Sequence, residues 1–147
     1  MRNADPPNFF ASKYSLPHAA ATMAVRGNAG HAALDDAAVR DPAIMALRHR
    51  VTVTEDPAMS EVAPRLRPAR VTVVLHDGRN VTHACDSHRG DFNQPFAEPE
   101  LRDKFRELAG AVLTPEGVML VEQAIDQCES WENVDVLTTL CRRHGRA

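Results

Sequence analysis

The chain has 147 residues, and 17 Lys and Arg against 20 Asp and Glu leave a formal charge of −3. That length suits one domain, or one domain with an appendage, and can bury roughly 68–70% of its unfolded surface without metal or disulfide staples. A hydrophobic content of 44% excludes a disordered or collagen-like chain. The near-neutral balance gives no electrostatic reason to expect nucleic acid or an anionic membrane as a partner.

Residues 1–10 read as an extended leader, because Pro6 and Pro7 deny both helix and ladder donors. Ser15 is a good helix cap, Pro17 is tolerated in the first turn, and Leu16, Ala19, Ala20 and Met23 form one apolar face. Gly27 and Asn28 end that helix. A short helical turn is expected over Asp35–Val39, and Asp41-Pro42 opens another helix carrying Ile44 and Leu47. Val51-Thr52-Val53-Thr54 alternates with period two and predicts a strand. Residues 56–69, with Pro57, Pro64 and Pro68, read as a connection. Val71–His76, Asp77-Gly78 and Arg79–Cys85 read as a hairpin closed by a tight primed turn.

The fold expected for this part is α+β, with a small antiparallel sheet of at least three strands and helices packed on one side. Residues 86–97 read as loop, and 98–147 as a C-terminal all-helical segment. Leu101, Phe105, Leu108 and Val112 share one helical face. Thr114-Pro115-Glu116 opens a second helix with Val118, Val121, Ile125 and Cys128 inward, and Asn133 or Asp135 opens a third. The expected organisation is therefore a leader (1–10), an α+β part (11–97) and returning helices (98–147).

No apolar run approaches the roughly 20 residues of a membrane span, and the first residues lack the apolar stretch of a secretory signal. Cys85, Cys128 and Cys141 are odd in number and widely spaced, which suits reduced thiols and a cytoplasmic setting. Cys128 and Cys141 fall on apolar helix faces and are expected in the core. His83, Cys85, Asp86, His88 and Asp91 form the densest polar cluster, but the paired spacings of structural zinc are missing and no metal is expected. Arg89-Gly90-Asp91 reads as a glycine turn between solvated charges. No Gly-x-Ser-x-Gly elbow, Walker loop or Gly-x-Gly-x-x-Gly is present, so no nucleotide cofactor is expected.

The most suggestive corner is Lys13-Tyr14-Ser15-Leu16-Pro17-His18. A helix N-terminus offers free N–H groups and partial positive charge, so Lys13, Ser15 and His18 are candidates for holding a carboxylate. The alternative is that Ser15 merely caps, Lys13 is solvated and His18 packs inward.

These residues also carry a likeness. Ser12-Lys13-Tyr14-Ser15-Leu16-Pro17-His18-Ala19-Ala20-Ala21 resembles the Lys-Tyr/Phe-Ser-Leu-Pro-Tyr-x-x-Ala stretch of the MmgE/PrpD family. Arg40-Asp41-Pro42-Ala43-Ile44, the Val71–Val81 hairpin with Asp77-Gly78, Gly90-Asp91 through Pro95 to Leu101, Lys104 and Phe105, and Val136-Leu137-Thr138-Thr139-Leu140 are similar to further family segments in the same order. The resemblance spans roughly residues 11–141. It implies the C-terminal part of a lyase or isomerase of the 2-methylcitrate dehydratase, cis-aconitate decarboxylase or iminodisuccinate epimerase type, acting on a small di- or tricarboxylate. It implies that residues 11–97 belong to a lid and 98–147 return to a helical domain. The family's acid–base residues would lie upstream of the matched stretch, so no catalytic residue is expected within this chain. At His18 the family commonly has Tyr or Phe. A partner subunit carrying the helical domain, or self-association, is then expected. The competing reading is a non-catalytic binding or assembly module, or an inactive fragment.

Overall fold

The computed structural model describes residues 1–28, 30 and 33–146. The expected ranges 11–97 and 98–147 contain the remaining positions 29, 31, 32 and 147, which lie outside that description. The chain divides into two compact units, Met1–Gln94 and Pro95–Ala147.

In the first unit, every helix start is explained by a local cap. Asn8 Oδ1 accepts from Ala11 N–H and closes a single turn, α1 (Phe9–Ser12), at the end of the stretch expected to be extended. Ser15 caps α2 (Leu16–Arg26), which ends where Gly27 turns left-handed at φ 73°. Asp35 caps α3 (Asp36–Arg40), and Asp41 accepts from Ala43 and Ile44 N–H to start α4 (Pro42–Arg48). The core is thin: Ala21 of α2, Ala38 of α3 and Ile44 of α4, with Leu47 packed against them. Asp56 caps α5 (Pro57–Glu61), a short helix within the segment read as connection.

β1 (Ala69–Val74) and β2 (Asn80–Cys85) pair antiparallel in one-to-one register from Ala69↔Cys85 to Val74↔Asn80. The sheet has these two strands and no more among the described residues, so the expectation of at least three strands is overturned. Val51–Thr54 has no regular secondary structure, but its burial alternates, with the valines half-buried and the threonines exposed. The amphipathic pattern is there, but a ladder also needs a neighbouring edge, and no strand pairs with this segment. Nor do helices cover the hairpin: all of β1 is exposed, and in β2 only Cys85 is half-buried.

The turn differs too. A type I′ turn over Asp77-Gly78 needs positive φ at both residues and a type II′ turn at the first, yet only Gly78 has one, at 84°. Leu75 N–H donates to Arg79 O at 2.9 Å and Gly78 N–H to Leu75 O at 3.0 Å. This is the three-residue loop with a left-handed glycine, which spares Asp77 an unfavourable backbone.

In the second unit, Glu100 accepts from Ala97 N–H at the head of α6 (Glu98–Gly110), and Thr114 Oγ1 accepts from Gly117 N–H at the head of α7 (Pro115–Asp126). A 3-10 turn follows at Cys128–Ser130, and Asn133 Oδ1 accepts from Asp135 N–H where α8 (Asp135–His144) begins. Ala109, Leu113 and Val121 are the core, with Phe105, Val118, Leu137 and Leu140 against it. Arg102 reaches Glu98, Glu122 and Asp126, and Arg106 reaches Glu122, so the two arginines clip α6 to α7. These hydrogen bonds and charges hold the Glu122 and Asp126 carboxyls below their ordinary range.

After α8 the chain folds back on the α6–α7 loop. Thr114 N–H donates to His144 O at 2.9 Å, and Arg146 gives its N–H to Val112 O at 2.8 Å and its Nε to Leu113 O at 2.7 Å. An apolar groove of about 470 Å³ runs between these helices, lined by Phe105, Val112, Val121, Ile125, Leu137 and Cys141 among others. Cys128 and Cys141 are exposed, which corrects their expected place in the core. Cys128 falls in the 3-10 turn beyond the end of α7, and Cys141 lines the open groove instead of the packed strip of Val118, Val121, Leu137 and Leu140. No helix among the described residues is long and apolar enough to cross a membrane.

Candidate functional site

Every N–H at the start of α2 is already engaged. Leu16 N–H donates to Met1 O at 3.0 Å, Pro17 has none, His18 N–H donates to Ser15 Oγ at 3.1 Å, and Ala19 N–H to Ser15 O at 3.0 Å. The Ser15 hydroxyl in turn donates to Asn3 O. The leader thus lies across the helix end and takes the positions an anion would use.

Lys13, Ser15 and His18 therefore point three ways. Lys13 is exposed, with Nζ 4.3 Å from the Phe9 ring centroid. Ser15 is buried and fully used as a cap. His18 is 0% exposed, and neither ring nitrogen has a hydrogen-bond partner. Thr22 Oγ1, four residues on along α2, is equally buried and unpartnered.

Arg48 was not anticipated as an interior group. It is 3% exposed, donates from Nη1 to Val39 O at 3.1 Å and from Nη2 to Asp5 Oδ1 at 3.2 Å. His49 Nε2 lies 3.1 Å from the same Asp5 oxygen. The signal was the spacing: Arg48 follows buried Ile44 by four residues, so it must share the inner face of α4. Arg26 joins the same neighbourhood through Ala33 O and Asp35 Oδ1.

Burial first, then the charges of Arg48 and Arg26, push the His18 pKa below its ordinary value. The folded state therefore binds this proton less well than the unfolded chain does, so stability is full above about pH 6.5 and falls as pH drops through the His18 range. Urea titrations across pH 7.5 to 5 are expected to show the first unit losing stability. The His18→Leu chain is expected to lose less over the same window, and an equal loss would show that another group governs it.

The polar cluster on β2 and its loop does not converge. His83 is exposed and Cys85 half-buried, while His88 Nδ1 sits 3.8 Å from Asp91. Among the described residues no three His, Cys, Asp or Glu side chains come close enough to hold a metal ion. Gly90, at φ 93°, donates its N–H to Gln94 O at 2.8 Å and closes the Arg89-Gly90-Asp91 turn. The α6–α8 groove is lined by apolar side chains and one thiol, with no acid–base pair among its lining residues.

Against known proteins, the sequence profile of the MmgE/PrpD C-terminal domain matches residues 1–129. The chain belongs to the MmgE/PrpD family, in its C-terminal domain. It is 24% identical over 131 residues to human cis-aconitate decarboxylase, which covers 89% of this chain and 27% of that enzyme. It is 29% identical over 72 residues to the mouse enzyme of the same name, covering 49% of this chain and 15% of the mouse protein. The chain thus spans about a quarter of the length of the human relative it matches.

Proposed function

We propose that this chain forms the lid side of an MmgE/PrpD lyase acting on a small di- or tricarboxylate, and that the acid–base residues reside on protein outside it. The observation that carries this reading is the match over 89% of the chain to 27% of a cis-aconitate decarboxylase, in a fold whose apolar groove lacks an acid–base pair. Proton abstraction beside a carboxylate needs a positioned base and fixed positive charge for the developing anion. Within this reading Lys13 is the exposed cation of the α2 corner. Ser15 would reach a carboxylate only if the Met1–Asn3 segment lifted from the helix, and His18 only if its buried ring were uncovered.

The test is turnover of cis-aconitate and 2-methylcitrate by the purified chain, alone and mixed with an MmgE/PrpD helical domain. No turnover alone and turnover in the mixture are expected; turnover by the chain alone would overturn the reading. The exposed hairpin favours a second reading, an assembly module. A stable complex with the helical domain that turns over neither acid would favour it.

A further inference from the structure

We propose that Arg48 and His49, at the end of α4, form a binding site for the carboxylate of a small free acid, and that the chain's own Asp5 holds this site as a displaceable stand-in. The ligand class comes from the group already seated there, so nothing in the proposal rests on the lyase reading.

The first observation is a half-used fork. In a guanidinium, Nε–H and Nη2–H point the same way, and that edge matches the two oxygens of a carboxylate. Arg48 gives Nη2 to Asp5 Oδ1 at 3.2 Å and spends Nη1 on Val39 O. Its Nε is buried and has no acceptor. Asp5, tethered through its own backbone, thus supplies one oxygen where the edge takes two. His49 Nε2 meets that same oxygen at 3.1 Å, so a second group converges on the carboxylate. The C-terminal end of a helix repels anions, so the attraction here comes from the two side chains.

The second is a contrast in burial. Arg48 is 3% exposed, whereas the Asp5 side chain is 64% exposed. An interior cation has to stay paired, because a buried charge left alone is costly. Its partner here sits at the solvent edge, where an acid from solution can compete. No residue of Met1–Asp5 is buried, and firm packing begins at Pro6, which is. The segment is tied to α2 by Met1 O on Leu16 N–H and by Asn3 O on the Ser15 hydroxyl. Segments with few buried contacts open locally at low cost.

The third is a set of unpartnered interior atoms at the same end of the helix pair. Arg26, in the last turn of α2, lies 4.0 Å from Asp41 at the head of α4. Asn3 and Asp5 join the start of α2 to the end of α4, through Ser15 and Arg48. The two helices therefore run antiparallel, and His18, one turn into α2, stands level with Arg48. Arg48 is also the charge that acts most strongly on His18. His18 is 0% exposed with both ring nitrogens unpartnered. Nearly all buried polar groups in native proteins are paired; here three orphan nitrogens, on Arg48 and His18, collect at the end that Asp5 closes.

A free acid that replaces Asp5 sets both oxygens on the Arg48 edge and keeps the His49 contact, while Met1–Asp5 comes away. The interior charge stays paired throughout the exchange.

Calorimetric titration with glutarate at fixed ionic strength tests this. The Asp5→Ala chain is expected to bind glutarate about tenfold more tightly than the parent, because the change removes a competitor that holds the site roughly nine-tenths of the time. Glutaramide, of like shape without charge, is expected not to bind. Arg48→Lys, placed in the Asp5→Ala chain, keeps the charge but loses the planar fork, and is expected to weaken glutarate binding about tenfold. Circular dichroism checks that this interior variant folds, and His49→Leu in the same background covers its failure. The His49 side chain is 52% exposed, so that change spares the fold and is expected to weaken binding about threefold. No binding by the Asp5→Ala chain, equal affinity of the parent and Asp5→Ala chains, glutaramide binding as tight as glutarate, or full affinity in the Arg48→Lys or His49→Leu chains would each overturn the proposal. All of these readouts are of binding, so their failure would leave the lyase reading to its own turnover assay.

Discussion

Ile44→Ala is expected to lower the stability of the first unit by about 2–5 kcal/mol, the larger of the two effects described here. Ile44 is 0% exposed, and its buried apolar neighbours are Ala21 and Ala38. The two alanines have no side chain that can rotate into the vacated space, so only half-buried Leu47 can shift toward it and part of the cavity stays open. Against a total of about 5–15 kcal/mol for an ordinary domain, such a loss leaves little. Urea unfolding followed by circular dichroism measures it. Met45→Ala is the matched control, because Met45 is exposed and is expected to shift stability by about 0.5 kcal/mol or less. Equal midpoints for the two variants would remove Ile44 from the core.

The second effect concerns Gly117. A Cβ at this position would overlap the Cβ of His144, at the end of α8. Helix propensity alone favours alanine by about 1 kcal/mol, but His144 Cβ is fixed to the backbone and cannot turn aside. The α8 end must move, although the Thr114 N–H to His144 O bond holds it. Overpacking of this kind costs about 1–3 kcal/mol, so Gly117→Ala is expected to destabilise the second unit on balance. Gly110→Ala is expected to do the reverse, since nothing lies within 4 Å of a Cβ there and the propensity gain is unopposed. Thermal melts of the two single variants should move in opposite directions. A rise for Gly117→Ala would mean that the α7–α8 contact is looser than described.

Helix starts were legible because their chemistry is local. Ser15, Asp41 and Thr114 accept from N–H groups two or three residues on, and the sequence carries both partners side by side. The hairpin was legible for the same reason: period-two valines flank an Asp-Gly that can only be a turn. What failed depends on partners distant in the chain. Val51–Thr54 has the composition of a strand, and nothing within it reveals that no edge lies alongside. The Lys13–His18 corner looked open because the carbonyls that close it belong to Met1 and Asn3, in a leader with no periodicity to announce a docked position. That His18 packs inward was one of the two readings the sequence offered, and its burial bears that one out. Arg48 was obscured differently: a helical wheel sorts residues by type, so an arginine counts toward the polar face even where its spacing from Ile44 turns it inward.

The bonds from Arg146 to Val112 and Leu113 have a practical consequence. Replacing Arg146 by Pro would remove a main-chain and a side-chain tether together, leaving α8 secured by Leu137, Leu140 and the His144 carbonyl. The far end of α8 is thus anchored through the α6–α7 loop more than by its own apolar stripe, so loosening that loop and releasing the helix end are one event.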